Sequence, residues 1–346
     1  MRRVLVLLSL LTASALVCGI GGASGAPETA KRGQALAAPL GSILVSGEIP
    51  DPRTFETYEL AAIPQRTVSV VYGGVTHTES GPLISDVMTF LGWSPSATCR
   101  NDVLRWWILA SNAKGQSALV TRGEIDPGFG NRPAILSISE DGRFLTHVGP
   151  RLIVPGDATD IRAIRKVNQL TIGRATSQLP QAGCDDKGAL ASAPAPGSVV
   201  INGDVASGST QSFPQLQGLT PQVTQTVSFL NGANPVTNTE AGPLLQQVLM
   251  SAQPKFNSKC PTDRMQFYIE ATGSDGYTSL LSWGDIDPSA GNRAPALSLT
   301  ENGASLSAAG PRVLAPGDVR GGRYVSGTVA LTLVRAKPQV ALAACS

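Results

Sequence analysis

Glu79-Ser-Gly-Pro-Leu83 returns as Glu240-Ala-Gly-Pro-Leu244, an offset of 161 (240 − 79). The same offset carries Ile125-Asp-Pro127 to Ile286-Asp-Pro288 and Gly130-Asn-Arg132 to Gly291-Asn-Arg293. It also carries Gly149-Pro-Arg151 to Gly310-Pro-Arg312, and Pro155-Gly-Asp157 to Pro316-Gly-Asp318. The chain therefore holds one unit twice, and each copy is a control for the other. A residue kept in both copies has a shared structural or binding role. A residue present in one copy only is not essential to the common fold.

Outward from these motifs, most segments read as strands. Val68–Tyr72, Trp106–Leu109, Ile135–Ile138 and Leu152–Val154 are short, apolar or alternating, and bounded by turn residues. One helix stands out. Pro82 sits at a favourable first position, and Leu83, Ile84, Val87, Met88 and Leu91 recur at helical spacing. Its twin places Leu244, Leu245, Val248 and Leu249 on one stripe. A second, shorter helical turn is expected over Gly123–Pro127, because Pro127 should end it. With 37 Gly and 25 Pro and few long periodic stretches, strands and turns should dominate, giving a β-rich α+β unit.

The first copy is placed at 41–175, a linker rich in Ala, Pro, Ser and Gly at 176–196, and the second copy at 197–336. Gly41-Ser-Ile43 matches Gly197-Ser-Val199 at an offset of only 156 (197 − 41), so five residues were gained or lost before the register settled. Ahead of the copies, Met1-Arg-Arg3 leads into an apolar run and then small residues. Residues 1–25 thus read as a secretory signal peptide, cleaved after Ala23 or Gly25, and residues 27–40 as disordered. Cys18 raises lipidation, but Val17 is bulky where a small residue is expected. The apolar run is shorter than the ~18 residues of a membrane span, and no later segment is long enough. The expectation is a secreted protein, periplasmic or extracellular.

Beyond the leader lie Cys99, Cys184, Cys260 and Cys345, again 161 apart in pairs (260 − 99, 345 − 184). Four cysteines allow three pairings. Duplication favours Cys99–Cys184 and Cys260–Cys345, one bridge per copy, and export supplies an oxidising compartment. Metal or redox roles are the alternative. No His/Cys cluster has zinc-ligand spacing, and no nucleophile elbow, phosphate loop or dinucleotide fingerprint occurs. The two histidines, His77 and His147, face Asn238 and Ala308 in the second copy, so histidine chemistry is confined to the first. A net charge of +2 without a Lys/Arg block argues against nucleic acid. Trp106 and Trp107 read as strand residues, since Phe267 and Tyr268 replace them.

Charges kept in both copies are Glu79/Glu240, Asp102/Asp263, Glu124/Asp285, Asp126/Asp287, Arg132/Arg293, Arg151/Arg312, Asp157/Asp318 and Arg162/Arg323. They have two readings. Arg132 and Arg151 pair inside the unit with Asp126 and Asp157, or arginine beside glycine amides forms an anion site.

The succession of Gly-Pro-Leu before a helix, Asn101–Leu104, Gly123–Pro127, Gly130-Asn-Arg-Pro133, Asp141-Gly142 and Gly149–Gly156 resembles the sulfite-oxidase-like molybdopterin-binding domain. The second copy adds Gly273-Ser-Asp-Gly-Tyr277 and Gly322-Arg-Tyr-Val325, which resemble the short bacterial members. The likeness covers most of both copies. It implies two tandem sulfite-oxidase-like α+β domains built on mixed sheets. In catalytic relatives it implies a molybdenum–pterin centre acting on small oxygenated substrates. That chemistry needs a cysteine thiolate ahead of the Gly-Pro-Leu helix. Here stand Val68-Ser-Val-Val-Tyr-Gly73 and Val227-Ser-Phe-Leu-Asn-Gly232, neither with Cys. His147, Arg151 and Arg162, with Arg312 and Arg323 in the second copy, match the positions that would hold a pterin phosphate. The expected function is a secreted, non-catalytic binding or scaffold module without a metal, meeting a small anion or a protein. The alternative is an oxidoreductase that retains molybdopterin in the first copy.

Overall fold

The computed structural model describes residues 41–145, 148–176 and 197–338. Runs such as Trp106–Asn112 and Val167–Arg174 are rich in β-branched and aromatic residues and are buried along almost their whole length. Such runs settle as central strands covered on both faces. In the first copy the order is Arg53–Glu56, Ser42–Gly47, Val167–Arg174, Trp106–Asn112, Ser117–Thr121. Ser42–Gly47 lies parallel to Val167–Arg174, so the first and last strands of the copy are neighbours, and the remaining pairs are antiparallel. The second copy repeats this order with Ser209–Ser212, Ser198–Gly203, Thr328–Arg335, Phe267–Gly273 and Thr278–Ser282.

Each copy also has a four-stranded sheet built on a long hairpin, and a two-stranded sheet. The hairpins are Gln65–Tyr72 with Val75–Pro82, and Gln222–Asn231 with Asn234–Pro243. The small sheets are Ile135–Ser137 with Arg151–Ile153, and Leu297–Ser298 with Arg312–Val313. The described residues belong to one compact unit, and its main apolar core, from Ile43 through Leu333, draws on both copies.

The expectation of two sulfite-oxidase-like α+β domains is corrected. Among the described residues strand occupies 44% and helix 15%, with four small principal sheets, so they are mostly β. The apolar stripes read as helices are real but cover only two turns. Ile84–Phe90 has seven residues and Leu245–Met250 six, burying Ile84, Val87, Met88 and Leu245, Val248, Leu249. Pro82 does not open the helix. It ends the strand, paired with Gln65, and Leu83 is the N-cap. Arg122–Ile125 is a single turn capped by Thr121 and stops ahead of Pro127, as a proline requires.

The hairpins also locate the five extra residues. Val68 pairs with Glu79, whereas Gln225 pairs with Glu240, an offset of 157 (225 − 68) on the first strand and 161 on the return. Four of the five are therefore two added pairs at the tip of the second hairpin. The true counterpart of Val68 is Gln225 rather than Val227, and Phe229 answers to Tyr72.

Candidate functional site

The decisive motif is explained by packing. A Cβ on Gly81 would lie 2.1 Å from the Leu136 carbonyl oxygen, and one on Gly242 would lie 2.0 Å from that of Leu297. Only glycine lets the hairpin cross the small sheet so closely. Two residues earlier, buried Glu79 pairs with Arg151 and accepts from Ser137 Oγ at 2.6 Å. Arg151 also reaches Glu140 at 2.8 Å. Glu240, Arg312, Ser298 and Glu301 repeat this arrangement. Burial raises the pKa of Glu79, against the pull of Ser137 and Arg151.

A second set of duplicated charges lies where the copies meet. Arg162, fully buried, donates to Asp157 at 2.7 Å and to Glu124 at 2.7 Å. Arg323, also fully buried, donates to Asp318 at 2.7 Å and to Asp285 at 2.6 Å. Each guanidinium stem lies on the opposite copy. A Cβ on Gly284 would be 2.4 Å from Arg162 Cδ, and one on Gly123 would be 2.9 Å from Arg323 Cδ. Ser282 Oγ crosses to Glu124 at 2.8 Å. Burial works against the charge on Arg323, but Asp318 and Asp285 raise its pKa well above the ordinary value. Burial likewise opposes ionisation of Asp285, and the charges of Arg323 and Arg132 outweigh it, so its pKa is lowered.

Further contacts across the junction come in exchanged pairs. Arg132 donates to the Gly291 carbonyl at 2.5 Å, and Arg293 to that of Gly130 at 2.6 Å. Ala158 N–H donates to Ala290 and Val319 N–H to Phe129, both at 2.8 Å. Trp107 stacks on its own counterpart Tyr268 with ring centroids 5.7 Å apart. These contacts define a pseudo-two-fold junction between the copies.

The residues assigned to a pterin phosphate are thus placed as follows. Arg151 and Arg312 belong to the hairpin ion pairs, Arg162 and Arg323 to the junction, and each is held by two carboxylates. His147 lies outside the described residues. The expected pairing of Arg132 with Asp157 is present at 3.0 Å, but Arg151 turns to Glu79 and Glu140, and Asp126 to Arg122. Cys99 and Cys260 are disulfide-bonded. Cys184 and Cys345 lie outside the described residues. No group of three potential metal ligands occurs among the described residues. A pterin with its molybdenum needs cations free to meet phosphate and a thiolate to meet the metal. The residues present do not fit it.

A cavity of about 1040 Å³ lies at the second hairpin's tip. Phe229, Leu230 and Asn231 form one wall, the Arg320–Gly322 turn another, and Asn101 and Phe129 of the first copy a third. Tyr277 crosses beneath, its hydroxyl accepting from Asn101 at 2.9 Å and donating to the Gly322 carbonyl at 2.6 Å. Burial pushes its pKa up to about 12. The corresponding cleft of the first copy, lined by Ser69–Gly74 and 156–160, measures about 430 Å³. Sequence reasoning missed Phe129, Phe229 and Arg320. Their signal is the reverse of the one followed, since they lie where the copies differ.

No family model matches the chain, and no curated protein matches it. Among solved structures, the chain is similar to the sulfane dehydrogenase SoxCD from Paracoccus pantotrophus. The TM-score is 0.30 and the identity 15%, over 83% of this chain and 77% of that one. A likeness at that level leaves the functional reading to the chain's own residues.

Proposed function

We propose that this chain is an exported, non-catalytic binding module made by duplication. The observation that carries the reading is the engagement of all four described candidate arginines by buried carboxylates. Charges so matched within each copy are not available to a cofactor phosphate. The disulfide-bonded state of Cys99 and Cys260 adds to this, because a sulfur in a disulfide is not a thiolate ligand. The pairings Cys99–Cys184 and Cys260–Cys345 are part of the proposal, each closing a loop of about 85 residues worth ~4–5 kcal/mol by chain entropy. The leader at 1–25 directs the chain to an oxidising compartment where such bridges persist.

The test is elemental analysis of protein exported by a host that makes molybdenum cofactor. Molybdenum is expected at background. A stoichiometric amount would overturn the proposal in favour of a pterin-dependent oxidoreductase.

A further inference from the structure

The two hairpins differ in what closes their outer edge. In the second copy the chain closes its own: Leu230 N–H donates to the Val319 carbonyl at 2.9 Å, and Leu230 forms a parallel bridge with Arg320. The counterpart of Val319 in the first copy is Ala158 (319 − 161), and it is anchored in the same way. Ala158 N–H donates to the Ala290 carbonyl as Val319 N–H donates to that of Phe129. The shorter hairpin does not reach it, and the Ala158 carbonyl has no hydrogen-bond partner among the described residues. Between them lies the 430 Å³ cleft, with Ser69–Gly74 on one side and 156–160 on the other. A Cβ on Gly73, Gly74 or Gly156 would meet nothing within 4 Å, so its rim is open.

One wall of this cleft is a sheet edge. Gln65–Tyr72 is the outermost strand of its sheet and pairs with Val75–Pro82 over eight residues without a register shift. Thr78 and Ser80, opposite Ser69 and Thr67, turn their carbonyls away to Asp141 and Ile138. Ser69, Thr67 and, by the same alternation, Val71 therefore turn their N–H and C=O groups outward. No backbone hydrogen bond reaches these three from outside the hairpin among the described residues. Edges of this length are usually blunted by Lys, Pro or a bulge. This one has none, and its single charge, Arg66, lies at the end away from the cleft. Other edges are short or covered, since Arg53–Glu56 has four residues and Ser117–Thr121 is buried throughout.

The rest of the lining sets the chemistry. Val71 is 61% exposed, and Val70, Ile153, Val154 and Ala163 add apolar surface. Two carboxylates are present. Asp157 is matched by Arg132 and Arg162, whereas Asp160 is exposed and has no ion-pair partner among the described residues. The cleft thus offers open main-chain groups on both walls, an apolar floor and one unmatched negative charge. Main-chain pairing along a sheet edge supplies affinity for an extended segment, and alternate side chains supply its selectivity. The 156–160 turn walls the far side, which favours one extended segment over the hairpin of a second copy.

We infer that the first copy's cleft binds an extended peptide, which enters as a strand between Gln65–Tyr72 and Ala158 and sets a lysine or arginine on Asp160. The inference rests on the binding-module reading and gives it a ligand class. Amide NMR of the full exported chain, titrated with the pentapeptide acetyl-Val-Thr-Val-Lys-Val-amide, tests it. Shifts are expected at the amides of Thr67–Gly74 and of 156–160. Replacing the peptide's central valine by proline removes a main-chain donor and should weaken binding by roughly tenfold. Asp160→Lys should weaken it by roughly two- to fivefold, the worth of an exposed ion pair, and should turn the preference to the peptide with Glu in place of Lys. Ser69→Pro removes an outward N–H, spares the ladder and should abolish binding. Silent cleft amides, equal binding of the proline peptide, or affinity unchanged in both protein variants would overturn the inference. Dimerisation that Ser69→Pro abolishes, with the cleft silent to peptide, would overturn it in favour of a second copy at this edge. A molybdenum-free protein with a silent cleft would sink this inference alone, whereas stoichiometric molybdenum would sink the reading beneath it.

Discussion

Along the junction of the copies, contacts recur in exchanged pairs, whereas at the hairpin tips the copies part. Arg162 lies over Gly284 as Arg323 lies over Gly123, and Arg132 reaches Gly291 as Arg293 reaches Gly130. At the tips, strands of eight residues in the first copy become ten in the second, and a 430 Å³ cleft becomes one of 1040 Å³. A junction built from both copies constrains each to match the other. A tip that touches no counterpart is free to change. Divergence has therefore concentrated where it alters a cavity at little cost to the fold.

The largest expected effect tests the junction. Arg323→Met leaves Asp318 and Asp285 buried without their cation and should cost about 3–5 kcal/mol in urea unfolding. Arg162→Met should cost a similar amount. A loss below about 1 kcal/mol in either would mean that the two ends of the junction are not equivalent.

A methyl group should be felt next. Gly284→Ala places carbon against Arg162 and Gly123→Ala against Leu104 and Arg323, and overpacking of this kind costs about 1–3 kcal/mol. The tighter approach at Gly284 predicts the larger loss, measured by thermal melting. The reverse order would break the geometric comparison.

Acid should loosen the molecule in a defined range. A hydrogen bond from Arg151 lowers the pKa of Glu140. Burial opposes ionisation of Asp287, but bonds from Ser289 and Arg264 outweigh it and lower that pKa too. With Asp285, these groups favour the folded state above the ordinary carboxylate range, about pH 4, and the benefit fades as pH falls through their lowered values. Burial raises the pKa of Glu79, so its contribution runs the other way, present at low pH and lost as pH rises through its raised value. Denaturant unfolding at stepped pH should show a net fall below about pH 4. Burial raises the pKa of Asp318 in the same sense as that of Glu79, so a flat profile there would mean that these two groups offset the three lowered ones.

The smallest effect belongs to the tip. Removing two cross-strand pairs from the second hairpin breaks the Leu230–Val319 hydrogen bond and should cost about 0.5–1.5 kcal/mol in the same unfolding assay. A loss as large as that of Arg323→Met would mean that the tip is part of the common core.

Much of this was legible in the sequence. The 161 offset marked eight duplicated charge pairs, and six of them prove to be the junction and the hairpin ion pairs, while Asp102/Asp263 and Asp126/Asp287 bind other arginines of their own copies. What the offset does not carry is the partner. Arg162 and Ser282 stand 120 apart and meet only because the copies pack face to face. The α+β reading failed because Ile84–Phe90 has true helical spacing but too few turns to set the architecture. The cavity was hidden because two of its residues, Leu230 and Asn231, belong to an insertion inside a hairpin, and register there is fixed by pairing rather than by sequence likeness.

The exchanged contacts across the junction have a consequence for the chain's integrity. With the bridges paired within each copy as proposed, a protease cut between 177 and 196 severs the covalent path between the halves, yet leaves Trp107 on Tyr268 and both crossing arginines in place. The fragments should travel together through a sizing column and separate only in denaturant. Such a nicked protein would stay one particle, held by the surface that its two halves share.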